Sequence, residues 1–306
     1  MADTVEILLA VYNGEAYLPA QLDSIIDQSD AHWHLTLSDD GSTDGSLAIL
    51  ETYAARYPEK LSLYRSGRRF GSARDHFFHL MARCDAEYML FCDQDDVWYP
   101  DKVKRTRGAL IDATREWGPE TPILVFSDQV PTDAALQPLA DSLMRYQKQY
   151  FGRFDYRSIL MQNVVTGGAM GVNRALARLA GNPPEGVIMH DWWLAATAAR
   201  FGHITYIDEP LGVYRQHGAN AVGAKHVDSA GYIAGKLAGL KGVRATILRK
   251  KAQAAAFRDN YRDRLGPEDF AFLDAFARER SGVGFWLRYQ SLIHGAARKA
   301  GMLVLG

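Results

Sequence analysis

Three carboxylates fall within four residues at Asp93-Gln94-Asp95-Asp96, directly after the apolar run Tyr88–Cys92. The run reads as a buried strand, and alternation along an extended chain turns Asp93 and Asp95 to the same side. Two oxygen ligands beyond a strand end suit a hard divalent cation, Mg²⁺ or Mn²⁺, that also grips a diphosphate. A solvated acidic turn ending at Pro100, with Asp101 opening a helix, is the plainer alternative. On the chemical reading Asp95 is the direct ligand, Asp93 lies nearer a ribose or a metal-bound water, and Asp96 is a structural cap.

Three further groups have types and spacings that fit the same chemistry. Asp39-Asp40 precedes Gly41-Ser42-Thr43-Asp44-Gly45. A glycine turn and a helix cap account for one aspartate and the hydroxyls, but not for two adjacent carboxylates. A carboxylate there can accept the imide N–H of a pyrimidine or the hydroxyls of a ribose. Asp191, in His190-Asp191-Trp192-Trp193, opens a helix whose N-terminus favours the anion, as a general base for an acceptor hydroxyl requires. The plainer reading makes Asp191 a cap and both tryptophans core; the chemical one makes Trp192 and Trp193 walls for a sugar ring. With a cation and diphosphate in play, Arg215 is a phosphate clamp by virtue of its planar fork. His217 then becomes an imidazole ligand or a diphosphate contact. Arg65, Arg68, Arg69 and Arg74 add positive potential for an anionic donor.

The elements that must hold these groups alternate. Val5–Val11 is a central parallel strand with one polar break. A helix follows on Leu18, Leu22, Ile25 and Ile26. A second strand alternates from Trp33 to Ser38, and a second helix carries Leu47, Leu50, Tyr53, Ala54 and Tyr57. Leu61–Tyr64 is a third strand, and Phe77, Phe78, Leu80 and Met81 mark a third helix before the strand Tyr88–Cys92. Such a βαβ series predicts a parallel α/β sheet whose ligands bind beyond the strands' carboxyl ends. Further on, the pattern predicts a helix over 101–114 and a strand over 123–126. It also predicts a helix near 142–150, a strand over 163–172 with Gly167-Gly168 at a close approach, a helix over 189–201, and two strands at 204–207 and 211–214.

Two cysteines, Cys84 and Cys92, form neither a disulfide framework nor a metal spacing, which suits a reducing compartment. No secretory leader is expected at the start of the chain, and no apolar run reaches the roughly 18 residues of a membrane span. The expected location is cytoplasmic, with peripheral contact at the inner face of the membrane. A net charge of −1 points to no nucleic-acid partner. From Lys225 onward, however, fifteen Lys and Arg face seven Asp and Glu, a local +8 that leaves −9 for the rest. Ile233, Leu237, Leu240, Val243 and Ile247 recur there at helical spacing, with Lys236, Lys241 and Arg244 between them. Such a helix can lie on an anionic membrane, on the protein's own body, or on a second copy in a homodimer. The division expected is a catalytic domain over 1–226, with a nucleotide-binding half over 1–110 and an acceptor-binding half over 111–226. A basic helical region follows over 227–306.

Together the blocks Leu8–Leu18, Leu37–Ser46, Phe91–Lys102, Gly167–Arg174, Met189–Trp193 and Tyr214–Asn220 resemble the family 2 glycosyltransferases. The similarity is to the rhamnosyltransferase-like branch and spans residues 5 to about 224 in family order. The resemblance implies the GT-A fold, a Rossmann-like, mostly parallel sheet flanked by helices, here with a C-terminal helical extension. It implies nucleotide contacts from Val11, Tyr12, Glu15, Asp39, Asp40 and Asp93, metal binding by Asp95, Asp93 and His217, and a base at Asp191. Arg215 and His217 take the diphosphate, and Gly167, Gly168, His190, Trp192 and Trp193 take donor or acceptor sugar. The implied reaction moves a hexose from a dTDP- or UDP-sugar to a glycan or lipid-linked acceptor with inversion. The chain departs from its relatives at Val11, where a proline is common. It also has Arg69-Phe70-Gly71 and Arg74-Asp75-His76-Phe77 where an Asn before the glycine and an Arg-Asn-Phe are usual. Two alternatives are a sugar nucleotidyltransferase and a non-catalytic sugar-nucleotide-binding protein. The first ordinarily shows a Gly-rich basic loop after its first strand, where this chain has Tyr12-Asn13-Gly14-Glu15.

Overall fold

Val5–Val11 (β1) takes the middle of a parallel group, bonded to Trp33–Asp39 (β2) on one side and Tyr88–Cys92 (β4) on the other. Leu61–Tyr64 (β3) continues the group beyond β2. Helices Leu18–Ile26 (α1), Ser46–Arg56 (α2) and Ala73–Arg83 (α3) make the crossovers, as the apolar spacing predicts. The computed structural model describes residues 4–149, 154–181, 183–218, 240–278 and 282–292.

Beyond β4 the sheet becomes mixed. The remaining elements are Val97–Trp98 (β5), Lys102–Trp117 (α4), Ile123–Thr132 (β6), Leu143–Tyr146 (α5), Tyr156–Met161 (α6), Met170–Asn173 (β7), Arg174–Ala180 (α7), His190–Phe201 (α8) and His203–Arg215 (β8). Spatial order is β3-β2-β1-β4-β7-β6-β8-β5. Strand β7 runs antiparallel to both β4 and β6, while β8 runs parallel to β6. The carboxyl ends of β1, β2, β4, β6 and β8 and the start of β7 therefore share one edge of the sheet. That edge collects every loop carrying a candidate side chain.

Several local expectations change. Gly167–Ala169 is a 3-10 turn rather than part of a strand, because β7 begins only at Met170. The two strands expected at 204–207 and 211–214 are one, β8, with register irregularities against β6 around Asp128. The helix expected near 142–150 shortens to α5, and α4 runs on to Trp117. Helices α6 and α7 carried no strong periodic signal; Asp155 and Asn173 cap them by accepting from Ser158 N and Leu176 N.

Two apolar clusters flank the sheet. One, on the α1–α2–α4 side, holds Ile7, Leu9, Leu22, Leu35, Leu37, Trp98 and Leu110. The other, on the α3–α8 side, holds Leu8, Phe77, Phe91, Phe126 and Trp193 and continues without a break into Phe257, Tyr261, Phe272 and Phe276. Phe257 belongs to Leu240–Asn260 (α9), Tyr261 directly follows that helix, and Phe272 and Phe276 belong to Pro267–Ala277 (α10), which Gly282–Tyr289 (α11) follows. The core thus runs on past residue 226. Of the basic stretch expected to be amphipathic, Ile233, Lys236 and Leu237 lie outside the described residues. Ile247 is buried, with Arg244, Leu248 and Arg249 exposed around it. No helix among the described residues is long and apolar enough to cross a membrane.

Trp193 was expected to line a sugar site. Instead it is fully buried, its Nε1 donating to Ala180 O at 3.2 Å and its ring centroid 5.4 Å from Phe257 and 5.6 Å from Tyr261. Trp193→Ala is expected to lower unfolding free energy by about 3–5 kcal/mol, measured by urea titration. A loss below about 1 kcal/mol would show that this packing carries little of the stability.

Candidate active site

The first two loops are stitched to each other before any ligand arrives. Asn13, in the left-handed region at φ 49°, accepts from Thr43 N at 2.8 Å and donates its own N–H to Ser42 Oγ at 2.9 Å. Gly14 N donates to Ser46 Oγ at 2.8 Å, and Glu15 Oε2 accepts from Gly45 N at 2.8 Å, at the start of α2. Glu15 is thus engaged in holding that helix start. Val11 is buried and its carbonyl accepts from Asp40 N at 2.8 Å, which ties the end of β1 to the second loop.

Asp39 and Asp40 divide their work. One oxygen of Asp39 accepts from Gly41 N and Ser42 N, both at 2.9 Å, and sets the turn. Its other oxygen, Oδ1, is buried with no hydrogen-bond partner among the described residues. Such an orphan acceptor is costly unless a ligand donates to it. Asp40 is 4% exposed, and both its oxygens accept backbone N–H groups, from Phe70 and Gly71. Its expected nucleotide contact is therefore corrected: Asp40 pins the loop after β3. That loop sets Arg69 over the exposed ring of Tyr12, 4.6 Å from its centroid.

The acidic loop after β4 is held from three directions. Gln94, which the sequence reading passed over, accepts from Tyr12 N at 2.8 Å and donates to Tyr12 O at 3.0 Å, joining it to the first loop. Asp93 Oδ2 accepts from Gly168 N at 3.1 Å. Asp95 Oδ2 meets His217 Nε2 at 2.7 Å, and the His217 ring lies 4.5 Å from that of Tyr17. Asp96 is structural through long-range bonds rather than a local cap: it is 1% exposed and accepts from Gln129 Nε2 at 2.9 Å and Arg215 N at 3.3 Å. Arg215 is also buried, with Nε donating to Asp95 O and an Nη to Ala134 O, both at 2.8 Å, over the ring of Tyr17. Its guanidinium braces the loops at Asp95 and Ala134.

Asp191 sits in the first turn of α8, its Oδ1 accepting from Trp192 N at 2.6 Å. Gly167 N and the Asn163 side chain also face its carboxylate. Both Asp191 and Asp93 keep some surface, yet the protein crowds them closely enough that burial pushes each carboxyl up to about 7. For Asp93 the negative charge of Asp95 adds to burial, and for Asp191 that of Asp93 does. The helix N-terminus opposes this; burial wins. His190 is 4% exposed against Phe77 and Phe91, and neither ring nitrogen has a partner among the described residues. Burial drives its pKa down to about 3, so it is neutral. Trp192 keeps partial exposure, with Nε1 donating to Ile159 O.

Beneath the acids lies a lysine that sequence reasoning missed. Lys102 is 1% exposed, donates to Gly168 O at 2.9 Å and rests 4.7 Å from the ring centroid of Trp98. Burial pulls its pKa down to about 8 against the opposing pull of Asp96, Cys92 and Asp93. Its only sequence signal is a cation at the first helical position, where the dipole favours an anion.

Comparison with known proteins places this arrangement. The model for "Glycosyl transferase family 2" matches residues 6–115, which include the first, second and fourth loops. The chain is 31% identical over 230 residues to the dTDP-rhamnosyl transferase RfbG of Shigella flexneri, spanning 71% of this chain and 74% of that one. The chain belongs to glycosyl transferase family 2. The putative glycosyltransferase EpsE of Bacillus subtilis is 31% identical over 103 residues, 33% of this chain and 36% of that one. Among solved structures, TarS of S. aureus in complex with UDP-GlcNAc aligns with a TM-score of 0.56 at 15% identity, covering 98% of this chain and 89% of that one. The mannosyltransferase PcManGT of Pyrobaculum calidifontis, in complex with GDP-Man and Mn²⁺, aligns with a TM-score of 0.54 at 15% identity, covering 97% and 77%. The expected GT-A architecture holds for this family 2 glycosyltransferase, and membership sets aside the nucleotidyltransferase alternative.

Proposed function

We propose that this glycosyltransferase moves a hexose, such as rhamnose, glucose or galactose, from a dTDP- or UDP-sugar to an acceptor hydroxyl, inverting the anomeric carbon. The acceptor class is a growing cell-surface polysaccharide or lipid-linked glycan, met at the inner face of the membrane. One observation carries the reading: Asp191 and the Asp93–Asp95–His217 group meet across the two-glycine turn at Gly167 and Gly168. A base on one side and a diphosphate-binding group on the other is the layout of a single in-line displacement, with no covalent intermediate. The name of the Shigella relative supports dTDP-rhamnose as first donor to test.

Among the described residues no three His, Cys, Asp or Glu side chains form a closed metal cage. Asp95 and His217 come together in a hydrogen bond of 2.7 Å, which a cation would replace by taking both groups as ligands. Such an open set fits Mg²⁺ or Mn²⁺, which binds through one or two carboxylates and completes its shell with substrate phosphate and water. When bound there the ion supplies positive charge to a departing diphosphate. The chain's own groups do the rest. The orphan Oδ1 of Asp39 accepts from the nucleotide, Tyr12 and Arg69 flank it, and Trp192 borders the sugar. Asp191 takes the proton of the attacking hydroxyl.

Nucleotide release from dTDP-rhamnose, UDP-glucose and UDP-galactose, assayed with Mn²⁺ and again with excess EDTA, tests this. Release from at least one donor, lost on chelation, is expected. A protein that releases no nucleotide from any of a broad donor panel is a binding protein instead, and activity indifferent to EDTA removes the metal.

A further inference from the structure

We propose that Lys102 is a positioning residue that sets the spacing between the diphosphate-binding acids and the base by clamping the Gly167–Gly168 turn; this rests on the function proposed above. Gly168 is held by both ends of its polar backbone. Its carbonyl accepts from Lys102 Nζ at 2.9 Å, and its N–H donates to Asp93 Oδ2 at 3.1 Å. Space around the turn is closed on both sides. A Cβ on Gly168 would stand 2.8 Å from Asp93 Oδ2 and 2.8 Å from Asp96 Oδ2. A Cβ on Gly167 would stand 3.0 Å from His190 Nε2 and 3.8 Å from Asp191 Cβ. The turn is therefore a wedge with the acids against one face and the start of α8 against the other.

A buried ammonium is an expensive way to hold one carbonyl. Lys102 is tolerable there because it rests on Trp98 and because Asp93 and Asp96 favour its charged form. It is anchored as the first residue of α4, whose body packs beneath β6 and β7. The same ammonium thus fixes the wedge and offsets the charge of the nearby acids. Without it the turn can drift by about 1 Å, and Asp191 loses its alignment with a donor held by Asp95 and His217.

The test separates alignment from folding. Calorimetric titration with UDP or dTDP plus Mn²⁺ gives both Kd and the number of competent sites, and donor hydrolysis gives kcat per competent site. Lys102→Met is expected to lower kcat per competent site by about 10²-fold, the usual effect of misplacing reacting groups by about 1 Å, with Kd within about threefold of wild type. Gly168→Ala leaves the ammonium in place but drives a methyl against both acids, and is expected to give the same split. Lys102→Met with normal kcat per site, or with its loss confined to Kd, overturns the proposal. Should Lys102→Met yield no competent sites, Gly168→Ala decides alone, and wild-type kcat in that variant overturns it. Asp191→Asn run alongside distinguishes the two levels: if it remains fully active, the proposed function fails; if it is dead while Lys102→Met is normal, only the clamp fails.

Discussion

Asp191→Asn is expected to lower kcat by about 10²–10⁴-fold, the range a general base contributes, while leaving nucleotide affinity within about threefold of wild type. The asparagine keeps an oxygen to accept from Trp192 N, so the first turn of α8 retains its bond. What disappears is the ability to hold a proton. The pH profile carries a second signature. Burial raises the Asp191 carboxyl to about 7, and only the anion works as a base. Activity should therefore fall as pH drops through about 7 and level off above it. Because the charge of Asp93 contributes to that elevation, a cation held nearby moves the acidic limb to lower pH. The residual activity of Asp191→Asn should lack the limb altogether. Near-normal turnover in the variant, or an unchanged limb, would remove Asp191 from the role.

Asp95→Ala is expected to lower kcat/KM by about 10³-fold, equivalent to roughly 4 kcal/mol of transition-state charge stabilisation. The substitution is selective, since the brace from Arg215 Nε goes to the backbone oxygen of Asp95 and survives. Calorimetry supplies the discriminating measurement. Nucleotide affinity in the presence of Mn²⁺ should weaken by about 10-fold to 100-fold, while affinity in EDTA stays as in wild type. Equal affinity with and without Mn²⁺ in the wild-type protein would assign Asp95 a role in the fold of the loop alone.

Much of the first half was readable because its strands are apolar runs or clear alternations and each helix is a clear stripe. Asp93, Asp95 and Asp39 were readable for a related reason: charge placed directly after a buried strand has few places to go except the sheet's edge. Trp192 and Trp193 show where this stops. Neighbours on a helix point about 100° apart, so one remains at the surface and the other enters the core. Which one depends on the helices behind α8, about which local sequence says nothing. The burial of Lys102 and Arg215 was hidden for a similar reason. Buried cations make sense only beside partners 66 and 81 residues away, the Gly168 and Ala134 carbonyls. Asp40 and Glu15 were legible in place, while the backbone of the neighbouring loop to which each is bonded was not. Strand β7, four residues long and antiparallel, is too short to carry a period of its own.

The buried side of α8 has a bearing on how this chain can be rebuilt. Asp191 rides on the front of a helix whose back is closed by Phe257 of α9 and by Tyr261 just beyond it, so the C-terminal segment backs the helix that carries the proposed base. A chimera that imports a relative's C-terminal helices also imports a new backing for the base, and its rate will reflect that fit before any difference in acceptor recognition. Grafts cut between residues 226 and 240 should therefore carry the matching face of α8 with them, starting at Trp193.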